Sequence, residues 1–458
     1  MNNTISVSDF INTGYRQYWE YSNRSGKNAI EPREGMPEVV RRIIYSAYCL
    51  NIREHQEHKT IELKGEVSKV HPHGDSSIED SIKGVATAYK SQPAVRILEG
   101  VGNFGSAPGD EGAAGRYTSV SGTPLLTAMY RDIPFVPVSV DETGVEQPEY
   151  ISCPLPLVLI NGQSAIGTGK SCYVAERDAR KVVKWVDALR KCDWVEGAGD
   201  DDSVAPDPMS VTGCETWVDP NNGYVYYQAV VHHGVDANDL SKMGKWDVIT
   251  ALPPKSTPAS VMAKLVNKLS TRVSKQVIDG SGKGRPLWIM VPKGYVKEED
   301  YAKYGMRNAR KEQIYIWDNE LNTMRSGSLV DLAKGWFDDR CAVVTRRLDH
   351  EIQQSEAVVH RIDLIKEFAD KHMQDWKVDD VVAHFVKLFP ETGEQDASMV
   401  LGLPVRNFLP ENLGKNEVLR KKELDKQQEL HNEIDHVGDV VIQEAYSIID
   451  KQEAFFNK

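Results

Sequence analysis

Two runs of apolar residues at close to heptad spacing, separated by a stretch that breaks the pattern, constrain this chain most. From Leu348 onward, Ile352, Val359, Ile362, Ile365 and Ala369 recur on an otherwise charged surface, and Leu430, Ile434, Val437, Val441, Ala445 and Ile448 repeat the pattern near the C terminus. So narrow an apolar stripe must be buried against a partner. The two runs therefore predict long helices that return antiparallel, with a compact globule inserted at about 373–412. Arms of this kind usually carry a dimer contact.

At 458 residues the chain exceeds what one hydrophobic core serves, so two to four structural units are expected. Hydrophobic residues at 40% and charged residues at 27% are ordinary for a soluble protein. No segment approaches the roughly 20 apolar residues that span a bilayer, and no membrane partner is expected. Met1 to Asn12 lacks the basic and apolar regions of a secretory signal, so the cytoplasm is the expected location. The six cysteines form no CxxC pair and read as reduced thiols. A net charge of -12 opposes nucleic-acid binding on average. Locally the first third is richer in cations, with Arg41, Arg42, Lys69, His71, His73, Lys83, Lys90 and Arg116, and these allow a basic groove.

Within that third, Pro37 opens a helix whose apolar positions Val40, Ile43, Ile44 and Ala47 run to about Leu50. A second helix is marked by a Ser76/Glu79 capping box, with Ile78, Ile82, Val85, Ala86 and Tyr89 on one face. Two short helices around a turn fit a helix-turn-helix type of DNA reader. Gly100 to Gly115 has neither helical nor strand period and reads as a loop of special backbone geometry. Farther on, Tyr224 to Val231 and Pro286 to Val291 read as strands with a helix from Pro258 to Leu269 between them, so the middle third is α+β. Gly197 to Pro208, with Asp200, Asp201 and Asp202, reads as a solvated acidic linker in preference to a metal site.

Three clusters carry chemistry: Lys69-Val70-His71-Pro72-His73-Gly74-Asp75, Gly102-Asn103-Phe104-Gly105-Ser106, and Gly115-Arg116-Tyr117-Thr118. Singly, each has an ordinary explanation. Paired histidines at i and i+2 without further ligands make a poor zinc set, a loop glycine permits a turn, and a tyrosine after arginine is commonly a packing residue. In order and spacing together they resemble the gyrase A and topoisomerase IV A family of type IIA DNA topoisomerases. The resemblance extends to Glu34-Gly35-Met36-Pro37-Glu38-Val39-Val40-Arg41-Arg42, to the turn Asn161-Gly162-Gln163-Ser164-Ala165-Ile166-Gly167-Thr168-Gly169, and to Val343-Val344-Thr345-Arg346-Arg347. No C-terminal β-pinwheel, ATPase module or acidic TOPRIM domain is legible. That short architecture is most similar to the medium subunits of T-even-type bacteriophage topoisomerases.

The resemblance implies an α+β multidomain chain. Its expected parts are an N-terminal arm at 1–30, a winged-helix DNA-cleavage domain at 31–155, an α/β tower domain at 156–340, and a coiled-coil arm at 341–458 with a C-gate globule at its tip. It assigns Tyr117 as the nucleophile that forms a 5'-phosphotyrosyl link to DNA. Arg116, His71, His73 and Arg42 become the groups on the scissile phosphate. Ile166 becomes the wedge that bends the duplex. Lys27, Arg41, Lys69, Ser76 and Lys83 are further DNA-binding candidates, and Ser76 and Asp80 match the family's quinolone contacts. Two positions depart from the family: Lys27 stands where it has a transition-state arginine, with Arg24 as the alternative, and Pro37 stands where it has a lysine. Mg²⁺ and ATP are expected on an ATPase/TOPRIM partner chain, and double-stranded DNA and a second copy of this chain are the other expected partners. Relaxation and decatenation are the expected reactions. The rival readings are a non-cleaving DNA clamp, a tyrosine-dependent DNA-breaking protein without strand passage, and a metal-dependent phosphohydrolase built on His71, His73 and Asp75.

Overall fold

The computed structural model describes residues 6–23, 28–71, 74–87, 95–105, 112–140, 144–198, 201–269, 271–282, 285–318, 321 and 323–457. Mixed α+β structure is confirmed, with several small antiparallel sheets and long helices. The chain forms two compact units, one of residues 1–340 together with 441–458, the other of residues 341–440.

After the N-terminal helical segments Val7–Phe10, Ile11–Tyr15 and Arg16–Asn23, the first unit packs three helices on one another, Glu38–Cys49, Thr60–Val70 and Asp75–Ala86. Their shared core is made by Ile43, Ile44, Ala47, Leu63, Val67, Ile78 and Ile82, all fully buried, as the helical spacing predicts. Pro37 is the N-cap of the first helix rather than its first turn. A three-stranded sheet lies beside them, with Ser119–Gly122 in the centre between His58–Lys59 and Leu98–Val101. Every residue of that central strand is buried, so whatever precedes it is held firmly at one end.

Farther along, the Gln163–Gly167 and Lys170–Val174 strands form a hairpin. Two more sheets follow. One orders Arg307–Lys311, Tyr224–Gln228 and Glu215–Val218; the other has four strands with Trp246–Ala251 and Ile289–Pro292 at its centre. The Pro258–Lys268 helix covers a core of Ile249, Val261, Leu265, Ile289 and Val291. Its Thr257 cap and Pro258 at the first position account for where it starts. The acidic stretch expected as a linker carries a short 3-10 turn, Asp201–Ser203, in which Ser203 is buried under the indole of Trp185.

The long Leu329–Asp370 helix starts in this unit, fixed by buried polar contacts. Asp339 accepts the hydroxyls of Tyr150 and Ser152, both at 2.6 Å, while Arg340 pairs with Asp132 at 2.9 Å and Glu444 at 3.2 Å. Glu444 belongs to the Val437–Phe456 helix, whose residues from Val441 onward fold into the first unit rather than into the arm.

In the second unit the outgoing helix pairs with Pro410–Asp435 in antiparallel register. Ser355 donates to Glu423, Asp363 pairs with Arg420, and Lys366 pairs with Glu417. Between them lies a small helical globule, including Val378–Leu388 and Gly393–Leu401, around Phe368, Met373, Val381, Phe385 and Val400. The return run is broken at His436, where one helix stops and the next begins at Val437.

Candidate active site

Tyr117 lies two residues before the buried central strand, on a loop tied down by its backbone. The amide of Tyr117 donates to Ala114 at 2.8 Å, closing a turn. The amides of Thr60 and Ile61, at the N-terminus of the Thr60–Val70 helix, donate to the carbonyls of Thr118 and Gly115 at 3.1 and 3.2 Å. The hydroxyl of Thr118 donates to that of Thr60 at 2.8 Å in a fully buried contact. Against this rigid frame the Tyr117 side chain is 71% exposed. Arg116 is exposed beside it, its guanidinium carbon 6.0 Å from the phenol ring centre. A nucleophile on a fixed backbone with a free side chain is what in-line attack on a phosphate requires.

The second anchor of this loop is Glu79. Its carboxylate accepts the Gly115 amide at 3.0 Å and pairs with Lys83 at 3.0 Å and Lys64 at 3.5 Å. Partial burial alone would raise its pKa. The bond and charge of Lys83, the Gly115 amide and the charge of Lys64 outweigh that and hold it below the ordinary carboxylate value. The expected capping box is therefore corrected: the helix runs from Asp75 with Gly74 as its cap, and Glu79 serves the tyrosine loop instead. Lys83 is correspondingly not on the surface. Its side chain is 9% exposed and its charge is committed to Glu79.

The glycine-rich segment also has a defined task here. Gly102 has φ of +102°, and a Cβ there would lie 3.4 Å from the Tyr117 carbonyl. At Gly112 a Cβ would come within 2.7 Å of the Phe104 backbone, so that close approach excludes any side chain.

Arg42 and His71 form a separate cluster. Arg42 is 2% exposed, with Nη1 2.8 Å from His71 Nδ1 and Nη2 3.1 Å from Glu38 Oε1. Guanidinium only donates, so Nδ1 must accept, and His71 is neutral with its proton on Nε2. The pair thus has the character of a buried, oriented donor cluster.

His71 ends the helix whose start holds the tyrosine loop. Ten residues separate Ile61 from His71, about 15 Å of helix axis at 1.5 Å per residue. The structure brings Arg42 to His71, and Arg116 to Tyr117. The two pairs lie at opposite ends of the Thr60–Val70 helix.

Of the remaining candidates, Ile166 is 87% exposed near the tip of the Gln163–Val174 hairpin. Behind that tip, buried Asn23 donates to the Thr168 carbonyl at 3.3 Å and accepts from buried Asn28 at 2.8 Å. Ser76 and Asp80 are exposed on the Asp75–Ala86 helix, and Lys69 is exposed and paired with Glu66 at 2.6 Å. Arg41 is turned inward to Glu34, Glu38 and the Glu149 carbonyl. His73, Lys27, Arg24 and Lys90 lie outside the described residues. Sequence reasoning missed Glu79 as a loop anchor and Asn23 and Asn28 as hairpin supports, because each acts across a gap in sequence that no local period marks.

A model of the DNA gyrase/topoisomerase IV A-subunit family matches residues 31–446. The DNA topoisomerase 4 A-subunit of Neisseria gonorrhoeae is 24% identical over 78% of this chain and 51% of its own length. The DNA gyrase A-subunit of Thermotoga maritima is 26% identical over 74% of this chain and 44% of its own length, and that of Borreliella burgdorferi is 32% identical over 39% and 22%. The match thus spans about half or less of these relatives. Since the family match takes in both clusters, the Ile166 hairpin and most of the arm, the chain belongs to the DNA gyrase/topoisomerase IV A-subunit family.

Proposed function

We propose that this chain is the DNA-cleaving and rejoining subunit of an ATP-dependent type IIA topoisomerase, with Tyr117 as its nucleophile. The observation that carries the proposal is the exposed Tyr117 phenol on a loop immobilised by Thr60, Ile61, Thr118 and Glu79. In the proposed step the phenol oxygen attacks a backbone phosphorus, the bond from phosphorus to the 3'-oxygen breaks, and the phenol proton is lost. The 3'-oxygen leaves as a hydroxyl. One phosphodiester replaces another, so the reverse attack reseals the strand without an external energy source.

Developing charge on the phosphoryl oxygens needs donors fixed in advance. Arg42 and the Nε2–H of His71 suit that task, with His73 and Arg116 as further donors. Because the two pairs sit at opposite ends of one helix, we infer that a second copy of the chain supplies the missing half of each site. Mixing a Tyr117→Phe protomer with an Arg42→Lys protomer tests this. Cleavage restored in the mixed dimer supports sites shared between protomers, and none in the mixture refutes it.

Near the site, Glu38 and Glu79 are already paired with cations, so the described residues offer no oxygen cluster for a hard divalent cation. Mg²⁺ and ATP are therefore proposed to be bound by a separate ATPase/TOPRIM chain, and passage of a second duplex would yield relaxation and decatenation. The finer reading of winged-helix, tower and C-gate parts, and of a bacteriophage-type medium subunit, is proposed with it. The 24% and 26% identities over the wide matches support a chain distant from cellular relatives. Quinolone contact at Ser76 and Asp80 is also proposed, supported by their exposure. No helix among the described residues is long and apolar enough to cross a membrane.

The test is incubation of this chain and a candidate ATPase/TOPRIM partner with supercoiled plasmid and Mg²⁺, stopped with detergent. Protein-linked linear DNA with the wild type, absent with Tyr117→Phe, is the expected result. DNA binding without an adduct under any partner would favour a non-cleaving clamp.

A further inference from the structure

Two cations converge on one neutral oxygen beside the Ile166 hairpin. Lys255 Nζ and Arg310 Nη1 each lie 3.4 Å from Ser164 Oγ. That is at the long limit of a hydrogen bond, so the hydroxyl holds neither cation strongly. Among the described residues neither cation has a carboxylate partner. Glu176, which lines the same cleft of about 370 Å³, bonds the Val211 amide at 3.3 Å rather than either of them, and burial pushes its carboxyl up to about 7.

Both cations are held by defined backbone structure. Pro253 to Ser256 forms a tight turn closed by the Ser256 amide on the Pro253 carbonyl at 3.0 Å. Lys255 occupies its third position with φ of +67°, where a glycine would sit without strain. The turn is anchored by the Ser256 hydroxyl on the Gly305 carbonyl at 2.8 Å and by Asn308 on the Pro254 carbonyl at 3.4 Å. Arg310, two residues beyond Asn308 on the same strand, lies with its guanidinium carbon 5.1 Å from the ring centre of Tyr173. Tyr173 is the cross-strand partner of Ser164. Burial, and after it the charge of Arg310, lower the pKa of Lys255.

We infer that Lys255, Arg310 and Ser164 form a receptor for one DNA backbone phosphate, positioned to hold the duplex where Ile166 enters it. Ser164 and Ile166 are two residues apart on one strand, so they face the same side about 7 Å apart. An anionic oxygen replacing the hydroxyl would satisfy both cations at once. The hairpin would then press an apolar wedge into the stack while the adjacent strand and turn grip the backbone. This rests on the DNA-binding reading proposed above.

The test is duplex binding by the full dimer, followed by fluorescence anisotropy from 50 to 200 mM salt, with end-to-end FRET on the same duplex reporting its bend. Lys255→Gly and Arg310→Gln should each lower the slope of log affinity against log salt, and the double variant should lower it by about 0.9, the share of one phosphate. Lys255→Gly relieves the turn's strain, so it should fold at least as stably as wild type while binding more weakly. Lys255→Arg should keep the slope, and Ile166→Ala should reduce the bend with the slope unchanged. Wild-type binding with slopes unaltered in both charge variants would overturn the receptor and leave the DNA-binding reading intact. No salt-dependent duplex binding by the wild type would overturn that reading, and the receptor with it.

Discussion

Arg42 and Tyr117 are proposed to act on the same phosphate, yet one is 2% exposed and the other 71%. Arg42 is fixed by His71 and Glu38, so its donors point one way before any substrate arrives. Tyr117 has its main chain fixed and its side chain free. The contrast separates two demands of phosphoryl transfer. Charge stabilisation works best from groups that need no reorganisation, whereas a nucleophile must reach, attack and later be released.

The sharpest break of this comparison comes from the free partner. Tyr117→Phe should lower covalent DNA adduct by at least about 1,000-fold, because no other group replaces a nucleophile. Duplex affinity should stay within about twofold by anisotropy, since a phenyl ring at an exposed site changes little else. Next is the fixed partner. Arg42→Lys keeps the charge and loses the planar fork, and should slow cleavage by about 10²–10³-fold in single-turnover assays. A loss below about threefold would remove Arg42 from the chemistry.

Glu79 links the two behaviours by immobilising the tyrosine loop, and its substitution should act through stability. Glu79→Gln weakens charge-assisted bonds to Lys83, Lys64 and the Gly115 amide, at a cost of about 1 kcal/mol in denaturant unfolding. Its folded pKa is depressed below 4.5, so this contribution is present in full above that value and is lost as pH falls through the folded pKa. The stability gap between wild type and variant should be constant from pH 6 to 8 and close below about pH 4. A gap that widened with acid would contradict the assignment.

The smallest expected effect on folding is at Ile166, which is 87% exposed. Ile166→Ala should change stability by less than about 0.5 kcal/mol while lowering the bend of bound duplex in FRET. A large loss of stability would make Ile166 a packing residue.

How much of this was legible in sequence follows from the range of each interaction. Helical period gave the faces of Ile43, Ile44, Ile78 and Ile82, since those depend on neighbours a turn or two away. Heptad spacing gave an antiparallel return but placed it at Leu430 to Ile448, whereas residues 355–366 pair with 417–423 and the chain from Val441 packs into the first unit. The pairing of Glu79 with Gly115 and of Arg42 with His71 spans 36 and 29 residues, and only folding brings them together. Glu79 illustrates the cost of a local rule. Its spacing from Ser76 fits a capping box, but the buried cation Lys83 and an unsatisfied loop amide compete for the carboxylate and win. Lys255 and Arg310 left no motif at all, because they come from a turn and a strand more than 50 residues apart and meet at Ser164 only in the fold.

The most direct test of Tyr117 as the nucleophile is the chemical identity of the linkage. Cleaved complexes would be trapped, digested with nuclease and trypsin, and analysed by mass spectrometry. A deoxynucleotide joined through its 5'-phosphate to the Tyr117 oxygen is the predicted product. Broken DNA with the nucleotide on another residue, or with no protein attached, would contradict the account.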